Sequence, residues 1–471
     1  METSTSDHYG DSFIAHRCAF HLKRPVNAIW HSHRNLESLS ENSIIARPQP
    51  KSLISKNPSA SPEPSNPSVA RTSPLQTFPK EYFLKAKPPD KQQDRASGAG
   101  EEGTMWGDVE RRFVPRFLTW IVLAYACSYA VRFLLMLDWN KGVYNHNPGS
   151  CRKLKDSVAH SGYFTDVPEA HLMFLSSGFA KRHNRSHESK IFVYTYLEIR
   201  LSTFGPREVN MDNGFDTSNF APLGLSAYYS KGRLTLYVIN DNGVNQTVEL
   251  FLYNREQNLL QHRKTLSSPL FTSLSGIAVV GADRFFLTNV FLTRKGWTQL
   301  LEVGLQTTFG SLLFFDGKNV NVIEKGLLTP NGLAYDSNKG LLYLSQTIAE
   351  SVKVYKVGRD LSLDKLTEIY LMTSPDQIFI DPNSGDLWVA CHPVTHKLLY
   401  HFFYPAKKTP SQVVRIRMMD EGLTWVVTEP YANDGLGISG ASSVLMNNGT
   451  LIVGSRLSRS VQCRVDNVDT V

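Results

Sequence analysis

"PNGLAYDSNKGLLYLSQ", Pro330–Gln346, and "PDQIFIDPNSGDLWVAC", Pro375–Cys391, share one pattern: a short apolar strand, a turn holding Gly or Asn, and a second apolar strand. Weaker copies begin at Leu223 ("LGLSAYYSKGRLTLYVIN"), Ser275 ("SGIAVVGADRFFLTN") and Ser442 ("SSVLMNNGTLIVGS"), with a degraded one at His171 ("HLMFLSSGF"). Alternating β-branched and aromatic residues, as in "KIFVYTYLEI" and "KVYKV", favour strands over helices. Six copies at intervals of about 45 to 65 residues fit four-stranded blades set radially, which shortens and protects the sheet edges. The expected fold is therefore all-β, a six-bladed β-propeller over residues 151–471. A seven-bladed ring is the alternative count.

Upstream of the repeats the composition changes. Residues 1–104 are rich in Ser, Pro, Asn and Gln, and such a stretch cannot bury enough apolar surface to offset its ordering entropy. It is expected to be a disordered tail; the alternative is an extended gene model with the true start at Met105. A basic juxtamembrane segment, 105–116, then leads into "FLTWIVLAYACSYAVRFLLML", Phe117–Leu137. About 21 residues at 1.5 Å each just cross a hydrocarbon core of about 30 Å. Arg132 lies near the C-terminal end, where its side chain can snorkel to the interface. The segment is read as a transmembrane helix, with a buried core helix as the alternative, and 138–150 as a stalk.

Arg111, Arg112 and Arg116 crowd the N-terminal flank while Lys141 is the nearest base beyond the segment, so the positive-inside rule predicts a type II single-pass membrane protein. The usable glycosylation sequons, Asn184, Asn245 and Asn448, all follow the segment, whereas Asn57 and Asn66 precede Pro and are blocked. Cys151, Cys391 and Cys463 share that side, which is oxidising. A disulfide between Cys151 and Cys463 would lock the two ends of a ring together, and Cys391, within "LWVACHP", is expected to be a free buried thiol; an unpaired trio is the alternative. The formal net charge of +7 over 471 residues is mild and no nucleic-acid motif stands out, so no nucleic-acid partner is expected.

"IDPNSGDLWVACHP", "TVELFLYN", "PNGLAYD" and the closing "SSVLMNNGTLIVGS...VQC" occur in an order that resembles the paraoxonase and arylesterase family, over roughly Cys151 to Val465. The resemblance implies a six-bladed propeller closed by a Cys151–Cys463 disulfide, two calcium ions in the central tunnel, and hydrolysis of lactones and aryl esters with a histidine pair as base. Carried over residue by residue, it leaves Asn331, Asp376 and Gln377 as residual calcium-site candidates. Elsewhere the family's chemistry is lost. Ser275 and Gly276 stand where the family has Asn and Asp, and ungapped alignment puts Tyr163 and Phe164 on its Glu and Asp; a two-residue gap would bring Asp166 there instead. Leu223 and Asp241 fall at or near the two histidines, and Leu cannot accept a proton. Asp241 reads as a turn residue of "NDNG", with a base or ligand as the alternative. His392 reads as structural, and His183 and His187 as part of a polar loop.

Calcium needs six to eight oxygens, so calcium binding is expected to be weak. The layout resembles the membrane-anchored invertebrate paraoxonase-like proteins that support degenerin-type sodium channels. A non-catalytic chaperone or accessory subunit of the endoplasmic reticulum or plasma membrane is therefore expected, its partners the membrane and channel subunits. The alternative is a calcium-dependent arylesterase or lactonase with a rearranged site.

Overall fold

A computed structural model describes residues 105–154, 161–177, 189–201, 205–404, 406–456 and 458–466. The tail at 1–104, the sequon at Asn184 and the pair His183 and His187 lie outside the described residues. Residues Met105–Met136 form one helix. Its stretch Arg116–Met136 is long and apolar enough to cross a membrane, and none of its most apolar window is buried. A core helix is buried by its neighbours; among the described residues this window is not.

Among the described residues, the strands from Cys151 onward form six sheets, five of four strands and one of five. Their inner strands are Tyr163–Val167, Pro222–Ser230, Leu274–Gly281, Pro330–Asp336, Ser374–Ile380 and Ala441–Asn447. Each packs against the next, and the last against the first, so the sheets are the blades of a closed six-bladed propeller. Burial follows position in the blade. The second strands Leu341–Gln346 and Leu387–His392 are buried throughout, whereas the outer strand Val320–Leu327 alternates between half-buried and exposed residues at the two-residue period of a one-sided strand. The repeat at His171 falls on the second strand of blade 1, Leu172–Ser177; the inner strand precedes it.

The ring is closed by its own N-terminus. Cys151–Lys153 pairs antiparallel with Val461–Arg464 as the outermost strand of blade 6, and Cys151 stands opposite Cys463, to which it is disulfide-bonded. Cys391 is a free, buried thiol.

Two local devices set the spacing of the blades. Gly276 lies so close to blade 4 that a Cβ there would sit 2.2 Å from the Asn331 carbonyl oxygen, and one at Gly332 would sit 2.4 Å from that of Asp376. Beside each glycine a second-strand hydroxyl bridges the gap. Thr288 accepts from Gly276 N and donates to Asn331 O, while Ser345 accepts from Gly332 N and donates to Asp376 O. These contacts carry the inner strands of blades 3, 4 and 5 in one register.

Two readings need correction. In "KIFVYTYLEI" the strand ends at Thr195, and Tyr196–Leu201 is helical. The cause is a capping box: Thr195 N and Oγ1 both donate to Glu198 Oε2 at 2.8 Å, and Glu198 N donates back to Thr195 Oγ1. The segment 138–150 is likewise no free stalk. Asp138 is buried and accepts from the backbone and hydroxyl of Thr395, Lys141 pairs with Asp138 at 2.6 Å, and His146 bridges to Ala432. The segment crosses blades 4 and 5 at the end where the inner strands begin.

Candidate functional site

Because every inner strand starts at the same end of the ring, its opening residues converge on the axis. Tyr163, Leu223, Ser275, Asn331 and Asp376, from five blades, line one cavity of about 150 Å³. Two helices between second and third strands, Gly296–Gly304 of blade 3 and Thr395–Phe403 of blade 5, contribute Val303 and Leu398 to its wall.

The polar groups there form one directed chain. Ser275 Oγ donates to Asn331 Oδ1 at 2.5 Å, so its single hydrogen is spent and the Tyr163 hydroxyl, 2.8 Å away, must donate to it. Burial pushes the Tyr163 phenol above its usual range, which keeps it a neutral donor. Asn331 then turns its Nδ2 toward Asp376 Oδ1 at 2.8 Å and toward Thr347 Oγ1 at 3.1 Å. Asp376 closes the chain. It also accepts from Arg456 Nη2 on Oδ1 at 2.8 Å and faces His392 Nε2 from Oδ2 at 3.3 Å. The Arg456 guanidinium lies over the Tyr163 ring, 4.8 Å from its centroid.

The other sequence-derived positions lie elsewhere. Phe164 packs between blades 1 and 6, filling the space beside Gly454, where a Cβ would meet its ring at 2.5 Å. Asp166 is bonded to Tyr196 and is not among the cavity residues. Asp241 accepts from Gly243 N in its turn and pairs with Arg294. Gln377 follows Asp376 but does not line the cavity, and its Nε2 has no hydrogen-bond partner among the described residues. Asn331 and Asp376 therefore meet, while Gln377, Asp166 and Asp241 do not join them.

The family model described as Arylesterase matches residues 147–465. The chain belongs to the arylesterase family. Mechanosensory abnormality protein 6 of Caenorhabditis elegans is 37% identical over 361 residues, covering 74% of this chain and 96% of that protein. Serum paraoxonase/arylesterase 2 of Gallus gallus is 31% identical over 306 residues, covering 64% of this chain and 84% of its own length. The human serum paraoxonase/arylesterase 2 is 30% identical over 262 residues, covering 55% and 73%.

The calcium that the arylesterase resemblance implies does not fit these residues. A calcium ion needs several oxygens pointing at one spot. Here Asp376 is the one acid among the described cavity-lining residues, and Asn331 offers it an amide N–H, its oxygen being taken up by Ser275. No cluster of three or more His, Cys, Asp and Glu able to hold a metal occurs among the described residues. Glycine at 276 leaves no room for a side chain without a backbone shift.

Sequence reading missed Arg456 and Thr347. A signal existed. In the register of the first two strands, Asn240, Asn289, Gln346, Cys391 and Ser455 oppose Pro222, Leu274, Pro330, Pro375 and Ala441 of blades 2 to 6. The next column is Asp241, Val290, Thr347, His392 and Arg456. Arg456 is the one arginine of that column, and Thr347, His392 and Arg456 line the cavity.

Proposed function

We propose that this arylesterase-family protein is a non-catalytic, membrane-anchored chaperone or accessory subunit for other membrane proteins, with channel subunits of the degenerin type as the expected clients. One observation carries the reading: Asp376, the acid of the cavity, is already held by Asn331, His392 and Arg456. An ester hydrolase of this kind needs a firmly held Lewis acid and a base placed to move a proton. Here Leu223 lines the wall where the resemblance places the first histidine, and the likeness to mechanosensory abnormality protein 6 runs over 96% of that protein. The orientation we favour is type II, with the propeller in the lumen of the endoplasmic reticulum or outside the cell. There, exposed Asn245 and Asn448 would carry glycans.

The test uses the full-length protein in detergent. Calcium is titrated while thermal stability and lactone and aryl-ester hydrolysis are followed, and channel subunits are co-expressed with the native chain. The expected result is no turnover, together with co-purification of a channel subunit whose surface level falls when this protein is removed. Turnover that rises with micromolar calcium and is abolished by Asp376→Ala would overturn the reading, as would unchanged surface expression of every channel tested.

A further inference from the structure

We propose that the Arg456 guanidinium is the ring's built-in cation, joining blades 5, 6 and 1 at the axis in place of a bound metal. This concerns what closes the ring, not what the ring serves, so it does not rest on the accessory role.

Three features carry it. Arg456 follows the second strand of blade 6, yet its Nη2 donates to Asp376 of blade 5 and its guanidinium lies over Tyr163 of blade 1. The neighbouring backbone makes room for its stem: a Cβ at Gly162 would lie 2.7 Å from Arg456 Cγ. The charges also match. Among the described residues Asp376 is the one acid lining the cavity and its side chain is 4% exposed, so a single guanidinium neutralises it where a divalent ion would leave an excess charge.

A guanidinium does here part of what a hard cation does in a calcium site. It offsets a buried carboxylate and ties strands from separate blades to one point. It differs in being covalently held, so the ring's closure at the axis requires no metal. The expected weakness follows from the same geometry. Removing one partner of a buried pair leaves the other uncompensated, whereas removing both charges together relieves that penalty.

The experiment is a double-mutant cycle on full-length protein in lipid nanodiscs, read by thermal unfolding, with Arg456→Met, Asp376→Asn and the combined variant. The native midpoint should be the same in EDTA and in excess calcium. Arg456→Met should lower it by about 5–10 °C, and the double variant should melt above Arg456→Met, which marks coupling between the two side chains. If Arg456→Met gives no folded protein, recovery of a folded double variant supports the same conclusion. A native midpoint that drops in EDTA, losses that simply add, or a double variant that fails to fold while Asp376→Asn folds would each overturn the proposal.

Discussion

Asp166 accepts the Tyr196 hydroxyl on both carboxylate oxygens at 2.7 Å. Burial outweighs that hydrogen bond and lifts the carboxyl from 3.8 to about 7. The folded state therefore binds a proton that the unfolded chain has released above pH 4. The stabilisation this gives is complete below the unfolded value and is lost as pH rises toward the folded one. Asp166→Asn removes the titration, so its stability relative to the native protein should grow as pH rises from about 4 to about 7, by at most about 1.4 kcal/mol per pH unit, and level off above. Urea unfolding of both proteins across that range checks this, and a difference independent of pH would refute it. Single columns were readable at this scale. Leu223, Ser275 and Asn331 could be placed at the axis because each stands at the opening of a repeat, and all three line the cavity. Arg456 was harder to see, because its partner Asp376 is 80 residues away on the neighbouring blade, and only alignment of the positions that follow the second strands picks it out.

Elements show the same division between local and distant causes. The inner strands from Pro330 and Pro375 were legible because a strand–turn–strand pattern lies within about seventeen residues. The helix Tyr196–Leu201 was signalled by Thr195 and Glu198 at capping-box spacing, a cue that the aromatic alternation of the preceding strand masked. The docking of 138–150 had no local signature, since Asp138 meets Thr395 across 257 residues. That contact is a buried carboxylate at the start of the helix Thr395–Phe403, bonded to the Thr395 hydroxyl at 2.8 Å and backbone at 3.1 Å. Asp138→Ala would strip both bonds and the Lys141 ion pair, at a cost of about 2–3 kcal/mol. Amide exchange in 395–403 should quicken accordingly while that of the second strands stays slow. Unchanged exchange in this helix would show that the segment merely lies on the ring.

At the scale of the whole molecule, the ring closes at a seam in blade 6, where three strands from the C-terminal end are completed by the strand Cys151–Lys153. Cys151–Lys153 contributes three residues of pairing there, and the Cys151–Cys463 bond, with a sequence separation of 312, makes that short strand permanent. Such a bond forms and lasts in an oxidising compartment. Under the type II orientation proposed above, it ties closure of the ring to the side of the membrane on which the ring would sit. The flanking charges favour the same side, because Arg111, Arg112 and Arg116 precede the span while Lys141 beyond it is offset by Asp138 and Glu350. One set of measurements on cell membranes tests both. Native protein should lose mass with an endoglycosidase, less of it in Asn245→Gln/Asn448→Gln, and Cys151 should resist alkylation until reduced. Cys151→Ser/Cys463→Ser should keep the glycans but lose about 3–5 kcal/mol of stability. A chain that carries no glycan and alkylates at Cys151 without reductant would place the ring in the cytosol, and the seam would then have to hold without its bond.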